Sequence, residues 1–317
     1  MHDNAFATFL MLNDSYLPGA LLLGYELKKQ KVSAELVCMV TEQISDGAKK
    51  ALSVIFNRVT DVPSIYVPHK RRQQRQDRPY MFTRFNALRL GKDGDLGCNY
   101  KKVVMIDADV LPIRNYGELL HVPTPAGVLN ENKSKFINIK DENRDKITKW
   151  SWHEAYDCIC PHGHQIPAYI TDRVASDHNN MGLNGSLFVF EPSIIEFGKI
   201  IDDIKKPEIL EFVGDKFDWP DMQYITMKWS GRWHSIDVKF CGFNGYPNLR
   251  ALNGTHFAGT KPWYFRRNFK AVENCSRFED FKLWYREYLA MLKDYPELNK
   301  VKKLQKLLDE IKNLKKS

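Results

Sequence analysis

An alternation of strand-like and helix-like segments over residues 6–106 constrains this chain more than any other feature. Phe6 to Leu12 is a nearly unbroken apolar run, as expected of a strand buried on both faces. Asn13-Asp14-Ser15 punctuates it, and Pro18 opens a helix expected to reach about Gln30. Glu35 to Val40 reads as a second strand, and Ser45-Asp46 caps a second helix through about Phe56. Arg58 to Val67 holds one or two short strands, Tyr80 to Leu90 a helix, and Lys101 to Ile106 a buried strand. Such alternation predicts an α/β fold, a mainly parallel sheet with helices on both faces.

The remainder is less regular. Residues 130–178 are polar and rich in turn formers. A structureless loop of that length is uncommon inside a compact domain, so they are expected to fold as an insertion over one face. Leu187 to Phe190 predicts a strand, Pro192 opens a helix to about Lys205, and Met222 to Trp229 suggests a short helix. Val238–Phe240 and Thr255–Phe257 are strand-like, and two helices are expected at 276–294 and 296–316. In the last of these Val301, Leu304, Leu307, Leu308, Ile311 and Leu314 form an apolar stripe. Packing on its own domain is the first account of that stripe, a homodimer contact the second, and a basic membrane-surface helix the third.

Composition removes several classes. With 43% hydrophobic residues and 39 aromatics in 317, the chain is not disordered. No apolar run approaches the roughly 18 residues that a spanning helix needs. The N-terminus has no cationic region, and the six cysteines show no disulfide rhythm. Of five glycosylation sequons, at Asn13, Asn132, Asn184, Asn253 and Asn274, two fall in motifs that tolerate no glycan. These features point to a reducing, cytoplasmic setting. The net charge of +8 invites a nucleic-acid partner, but it is local. Residues 69–78 carry +4 and residues 300–317 carry +5, leaving −1 for the rest, and no nucleic-acid-binding fingerprint accompanies them.

The sharpest chemical signal is Val103-Val104-Met105-Ile106-Asp107-Ala108-Asp109. By itself Asp-x-Asp is often a polar turn. After an apolar strand it delivers two carboxylates to the carboxyl end of the sheet, where open α/β folds bind ligands. Two such oxygens beside a phosphorylated substrate suit a hard divalent cation, Mn²⁺ or Mg²⁺. No G-x-G-x-x-G follows the first strand, which argues against a nicotinamide dehydrogenase. Cys158-Ile159-Cys160-Pro161-His162-Gly163-His164 spaces its ligands too tightly for an ordinary zinc site and reads better as a loop with buried thiols.

Several blocks together resemble the glycogenin-like glycosyltransferases, family 8. They are Leu10-Met11-Leu12-Asn13-Asp14-Ser15-Tyr16 with Gly19 to Gly24, Thr83-Arg84, Asp107-Ala108-Asp109, Leu183 to Ser193, and His256-Phe257-Ala258-Gly259-Thr260-Lys261-Pro262-Trp263. The likeness is nearer to such transferases of large DNA viruses and microbes than to animal glycogenin. It implies a GT-A type domain over 1–263, with a helical extension over 264–317. The implied reaction is α-retaining transfer of a hexose from a UDP-sugar by front-face attack. UDP-glucose is the leading donor, with UDP-galactose, UDP-xylose and UDP-N-acetylglucosamine behind. The family's metal ligands fall on Asp107, Asp109 and His256, a set compatible with Mn²⁺ or Mg²⁺. Leu10, Asn13, Tyr16 and Ala108 fall where base and ribose bind. Gly259, Lys261 and Arg84 fall on the diphosphate, and Asn184, Gly185 and Asp221 on the sugar.

The departures are specific. Arg84 stands where the family usually has lysine, exchanging a point charge for a planar fork. Met222 intervenes between Asp221 and Gln223, which the family usually joins directly. Glycogenin glucosylates its own tyrosine ahead of the His-Phe-x-Gly motif, whereas here Cys241 to Thr255 is short and holds only Tyr246. The insertion is expected to shape the acceptor site instead. A self-glucosylating primer and an inactive sugar-nucleotide-binding scaffold remain as alternatives.

Overall fold

A computed structural model of the chain describes residues 2–69, 76–130, 160–178, 180–246 and 248–314, the side chains of 266 and 267 excepted. Its frame is a seven-stranded sheet in the order β3-β2-β1-β4-β7-β6-β8. The strands are β1 (Asn4–Leu10), β2 (Glu35–Val40), β3 (Arg58–Asp61), β4 (Lys102–Ile106), β6 (Ala126–Leu129), β7 (Leu183–Phe190) and β8 (His234–Ser235). From β3 to β4 all pairs are parallel, while β7 runs antiparallel to both β4 and β6. The first three strands run outward from β1 to β3, and β4 then adds on the other side of β1. The order therefore reverses between β1 and β4, and ligands of open α/β sheets bind at such a reversal.

Why the early strands are apolar throughout is visible in the packing. Along β1, Phe6 and Leu10 join one hydrophobic cluster, and Ala5, Ala7 and Phe9 join another. Along β4, Val104 and Ile106 go one way, and Val103 and Met105 the other. With a side-chain period of two, both faces of these strands are core. A second, three-stranded sheet joins β5 (Val110–Pro112), β10 (Gly254–His256) and β9 (Gly242–Phe243).

Several segments differ from the sequence expectation, four of them near the site or the C-terminus. Residues Arg78–Leu90 form a 3-10 helix, not an α-helix. Val238–Cys241, expected as a strand, is also a 3-10 turn, opened by the Asp237 side chain accepting from Lys239 N. β7 begins four residues earlier than expected and is buried along its whole length. An additional helix, Phe265–Cys275, precedes the two expected at the C-terminus and breaks its geometry at Asn268.

The C-terminal stripe packs on the chain itself. Leu304, Leu307 and Ile311 lie within the same cluster as Phe6, Leu21 and Trp284. Tyr288 Oη donates to Leu304 O at 2.9 Å, fixing the last helix (Lys302–Leu314) on the helix Glu279–Asp294. Each fully buried leucine is worth about 1.5–3 kcal/mol of transfer free energy. Among the described residues no helix is long and apolar enough to cross a membrane. Most of the 130–178 insertion, with Cys158, lies outside the described residues, as do Arg71, Arg72 and Arg75.

Candidate active site

β4 ends at Ile106, and Asp107 follows it with its N–H bonded to Ser186 O on β7 at 3.0 Å. Two residues on, the antiparallel pairing of Val110 with His256 brings β10 alongside, and Phe257 N donates to Asp109 O at 2.9 Å. Two strands thereby set both aspartates and His256 on the wall of a cavity of about 350 Å³. Arg84, Asn184, Gly185, Asp221, Gly259 and Lys261 line the same cavity.

Arg84 is the hub of this wall. It is 2% exposed, and its Nε lies 3.0 Å from Asp221 Oδ2 while its Nη2 lies 3.4 Å from Asp107 Oδ1. Nη1 donates to the carbonyl oxygen of Gly185. A Cβ at Gly185 would stand 2.6 Å from that same Nη1, so any larger residue there would have to displace the guanidinium where it crosses β7. The 3-10 geometry matters here. With three residues per turn, Arg78, Met81 and Arg84 eclipse one another, and all three line the cavity. Arg78 is stacked over Trp219 at 4.3 Å.

Lys261 forms the second cationic centre. Its Nζ lies 2.6 Å from Asp109 Oδ2 and also donates to Phe257 O. His256 Nε2 is 3.5 Å from Asp109 Oδ1, an ion-pair distance rather than a hydrogen bond. Burial opposes ionisation of Asp109, but Lys261 and His256 outweigh it and hold the carboxyl well below the usual range. Asp107 goes the other way. Burial pushes it up to about 7, against the pull of Arg84 and with the neighbouring charges of Asp109 and Asp221 adding to the rise. Burial would lower the Arg84 pKa, yet Asp107, Asp221 and Asp109 together raise it.

The oxygen, oxygen and nitrogen donors of Asp107, Asp109 and His256 suit a divalent cation by type. Asp107 Oδ1 and Asp109 Oδ1 are buried without a hydrogen-bond partner among the described residues, an arrangement that a cation would satisfy. As the side chains stand, no three His, Cys, Asp or Glu groups among the described residues are gathered into a ready-made cage. Arg84 and Lys261 supply the compensating charge.

Other expected residues have different neighbours. Asn184 lines the cavity, but its Oδ1 accepts from Ser186 N and Oγ and its Nδ2 points at Cys241 Sγ. Gln223 is fully buried and bonds Trp219 N, His178 O and Asn180 O, so Met222 takes the wall position beside Asp221. Leu10, Asn13, Tyr16 and Ala108 do not line this cavity. Leu10 and Ala108 are buried, Asn13 caps a 3-10 turn through Ser15 N at 2.8 Å, and Tyr16 packs edge-on against Trp263 and Tyr264. Tyr246 is 7% exposed and is likewise absent from the lining. Cys160 bonds the carbonyls of His164 and Gln165 within its own loop, while His162 stacks on Phe240 and accepts from Asp237 N at the head of the turn Val238–Cys241. Asn130, Met81 and Met181 line the cavity although no sequence motif marks them.

This fold is that of the GT-A glycosyltransferases. The galactosyltransferase LgtC, solved with donor and acceptor sugar analogs, superposes with a TM-score of 0.56 at 12% identity, over 90% of this chain and 95% of its own. GlyE of Streptococcus pneumoniae gives a TM-score of 0.53 at 10% identity, over 94% of this chain and 64% of GlyE.

Within that class the sequence is glycogenin-like, similar to family 8. An uncharacterized protein of Acanthamoeba polyphaga mimivirus, R707, is 24% identical over 93% of this chain and 97% of its own length. Rabbit glycogenin-1 is 34% identical over 38% of this chain, a match spanning about a third (34%) of that relative. Galactinol synthase 7 of Arabidopsis thaliana is 22% identical over 83% of this chain and 75% of its own length. No family model matches the chain.

Proposed function

We propose that this protein transfers a hexose from a UDP-sugar to an acceptor hydroxyl with retention at the anomeric carbon, assisted by a divalent cation, Mn²⁺ ahead of Mg²⁺. One observation carries the reading. Two buried aspartates, Asp109 and Asp221, and the half-buried Asp107 share one cavity wall with Arg84 and Lys261 at the end of β4. Such a wall matches a ligand that has a dianionic diphosphate at one end and a sugar acquiring positive charge at the other.

Lys261 and Arg84 are the residues to meet the diphosphate, each already holding buried negative charge that the ligand would replace. Asp107, Asp109 and His256 would hold the cation, which when bound neutralises charge developing on the diphosphate. Leu10, Asn13, Tyr16 and Ala108, at the ends of β1 and β4, are proposed for base and ribose. Asp221 and Asn184 border the sugar, and the Asp221 carboxylate steadies its positive charge. In the transfer the anomeric carbon–diphosphate bond breaks and a bond to the acceptor oxygen forms on the same face. The acceptor's proton passes to the departing diphosphate oxygen.

Burial of Tyr246 outside the cavity favours an external acceptor over self-glucosylation. The test is UDP release from a panel of UDP-sugars with Mn²⁺, starting from UDP-glucose, with intact mass measured in parallel. Release for at least one donor without mass gain is expected. A flat response to every donor overturns the proposal.

A further inference from the structure

The cavity wall around Met222 has a chemistry that diphosphate recognition does not use. Asn130 follows β6, and its N–H donates to Gly182 O at 2.9 Å, beside Met181. Leu183 N, the next residue along, donates to Thr226 Oγ1, which in turn donates to Met222 O at 2.6 Å. These bonds tie Asn130, Met181 and Met222 to one corner, and all three line the cavity. Asn130 is 4% exposed, and its Nδ2 is buried without a hydrogen-bond partner among the described residues. By contrast, both ends of the Asn184 amide are occupied by Ser186 and Cys241.

A buried amide donor without a partner is costly unless a ligand completes it. Its setting narrows the ligand group. A sugar hydroxyl needs a partner for its own hydrogen as well as for its oxygen, and thioethers are weak acceptors. A carbonyl oxygen needs only the donor, and a methyl group beside it packs well on methionine. Gln223, which would have offered a second amide, is turned into the fold by three hydrogen bonds.

We infer that Asn130, Met181 and Met222 form an acetamido subsite, so that the donor sugar is an N-acetylhexosamine. Asn130 Nδ2 donates to the acetamido carbonyl, and the two thioethers cover its methyl group. This rests on the transferase reading and replaces the glucose preference that the resemblance implies with one built on this chain's own wall.

The experiment compares UDP-N-acetylglucosamine with UDP-glucose, and UDP-N-acetylgalactosamine with UDP-galactose, by UDP release and by calorimetric binding. For at least one pair, kcat/KM is expected to favour the acetamido donor by about ten-fold or more. Asn130→Asp keeps the size and removes the donor group, and is expected to cut that ratio about ten-fold. Met222→Gln should shift the ratio in the same direction, and thermal unfolding checks that both variants fold. Equal kcat/KM within both pairs, or a preference untouched by Asn130→Asp, overturns the subsite while leaving the transferase standing. Should no donor release UDP, the transferase reading fails, and the calorimetric ratio decides the subsite: tighter binding of the acetamido donors supports it, and equal or absent binding overturns it.

Discussion

Two clusters of charge gathered around buried carboxylates in this molecule are assembled on different plans. Where helix Leu17–Lys29 meets helix Glu279–Asp294, Lys29 reaches Glu26 at 2.9 Å and Glu287 at 2.5 Å, and Arg286 adds a second cation to Glu287 at 2.7 Å. No oxygen of either glutamate is among the buried atoms lacking a partner. At the cavity, Arg84 is divided between two aspartates and Lys261 serves a third, yet Asp107 Oδ1 and Asp109 Oδ1 remain without hydrogen bonds among the described residues. The first cluster is complete and joins two helices. The second is compensated in charge but incomplete in hydrogen bonds, and it borders space. Incomplete satisfaction beside a cavity separates a site from a staple, because burial alone is common to both.

Mutation can break this distinction. Arg84→Leu strips the cation from the buried Asp221 and the half-buried Asp107 at once and is expected to cost about 3–5 kcal/mol in a urea titration. Arg84→Lys, which keeps one charge, should cost less. Asp109→Asn removes one of the oxygens proposed to hold the cation without changing size. It should leave the fold intact, as judged by circular dichroism, and lower UDP release by about 100-fold or more. Unchanged turnover with Mn²⁺ present would sink the site assignment. Gly185→Ala places a methyl against Arg84 Nη1 and should destabilise by about 1–3 kcal/mol, with activity falling in parallel.

The smallest effect sharpens the comparison from the other side. Burial pushes the Glu26 carboxyl up to about 7, above its ordinary 4.5, although Lys29 pulls it down. The folded chain therefore holds an extra proton between those values, and this contribution to stability is lost as pH rises through the window. Glu26→Gln should remove that slope and raise Tm by about 2 °C at pH 8, since Lys29 keeps Glu287. A fall in Tm at pH 8 would show that Glu26 acts as a needed anion.

How much of this was legible in the sequence follows from the range of the forces involved. β2 was readable to the residue because six consecutive positions, Glu35–Val40, sit in a fully covered sheet. β7 was readable only from Leu187, since Asn184, Gly185 and Ser186 look like a turn. They lie in the strand because Leu183 pairs with Leu129 on β6 and Ser186 O accepts from Asp107 N just past β4. Helix Phe265–Cys275 was hidden by the break at Asn268, which interrupts its periodicity. In the site, Asp107 and Asp109 announced themselves through the apolar strand before them. Asn130 had no such signal. It follows a four-residue strand and precedes a polar stretch, and its bond to Gly182 holds it at the wall.

The position of β7 in the sheet has a consequence for biosynthesis. β4 and β6 have no hydrogen-bonded contact with each other, and both wait for Leu183–Phe190 to fill the gap between them. A nascent chain can assemble β1 to β4 early, but its growing edge is then Val103-Val104-Met105-Ile106, apolar and with an unpaired backbone. Such an edge pairs readily with a second copy. Truncations ending before residue 183 are thus expected to aggregate, whereas chains that include β7 seal the edge from within. The strand that carries Asn184 and Gly185 to the cavity is also the one that makes the unfinished protein safe to complete.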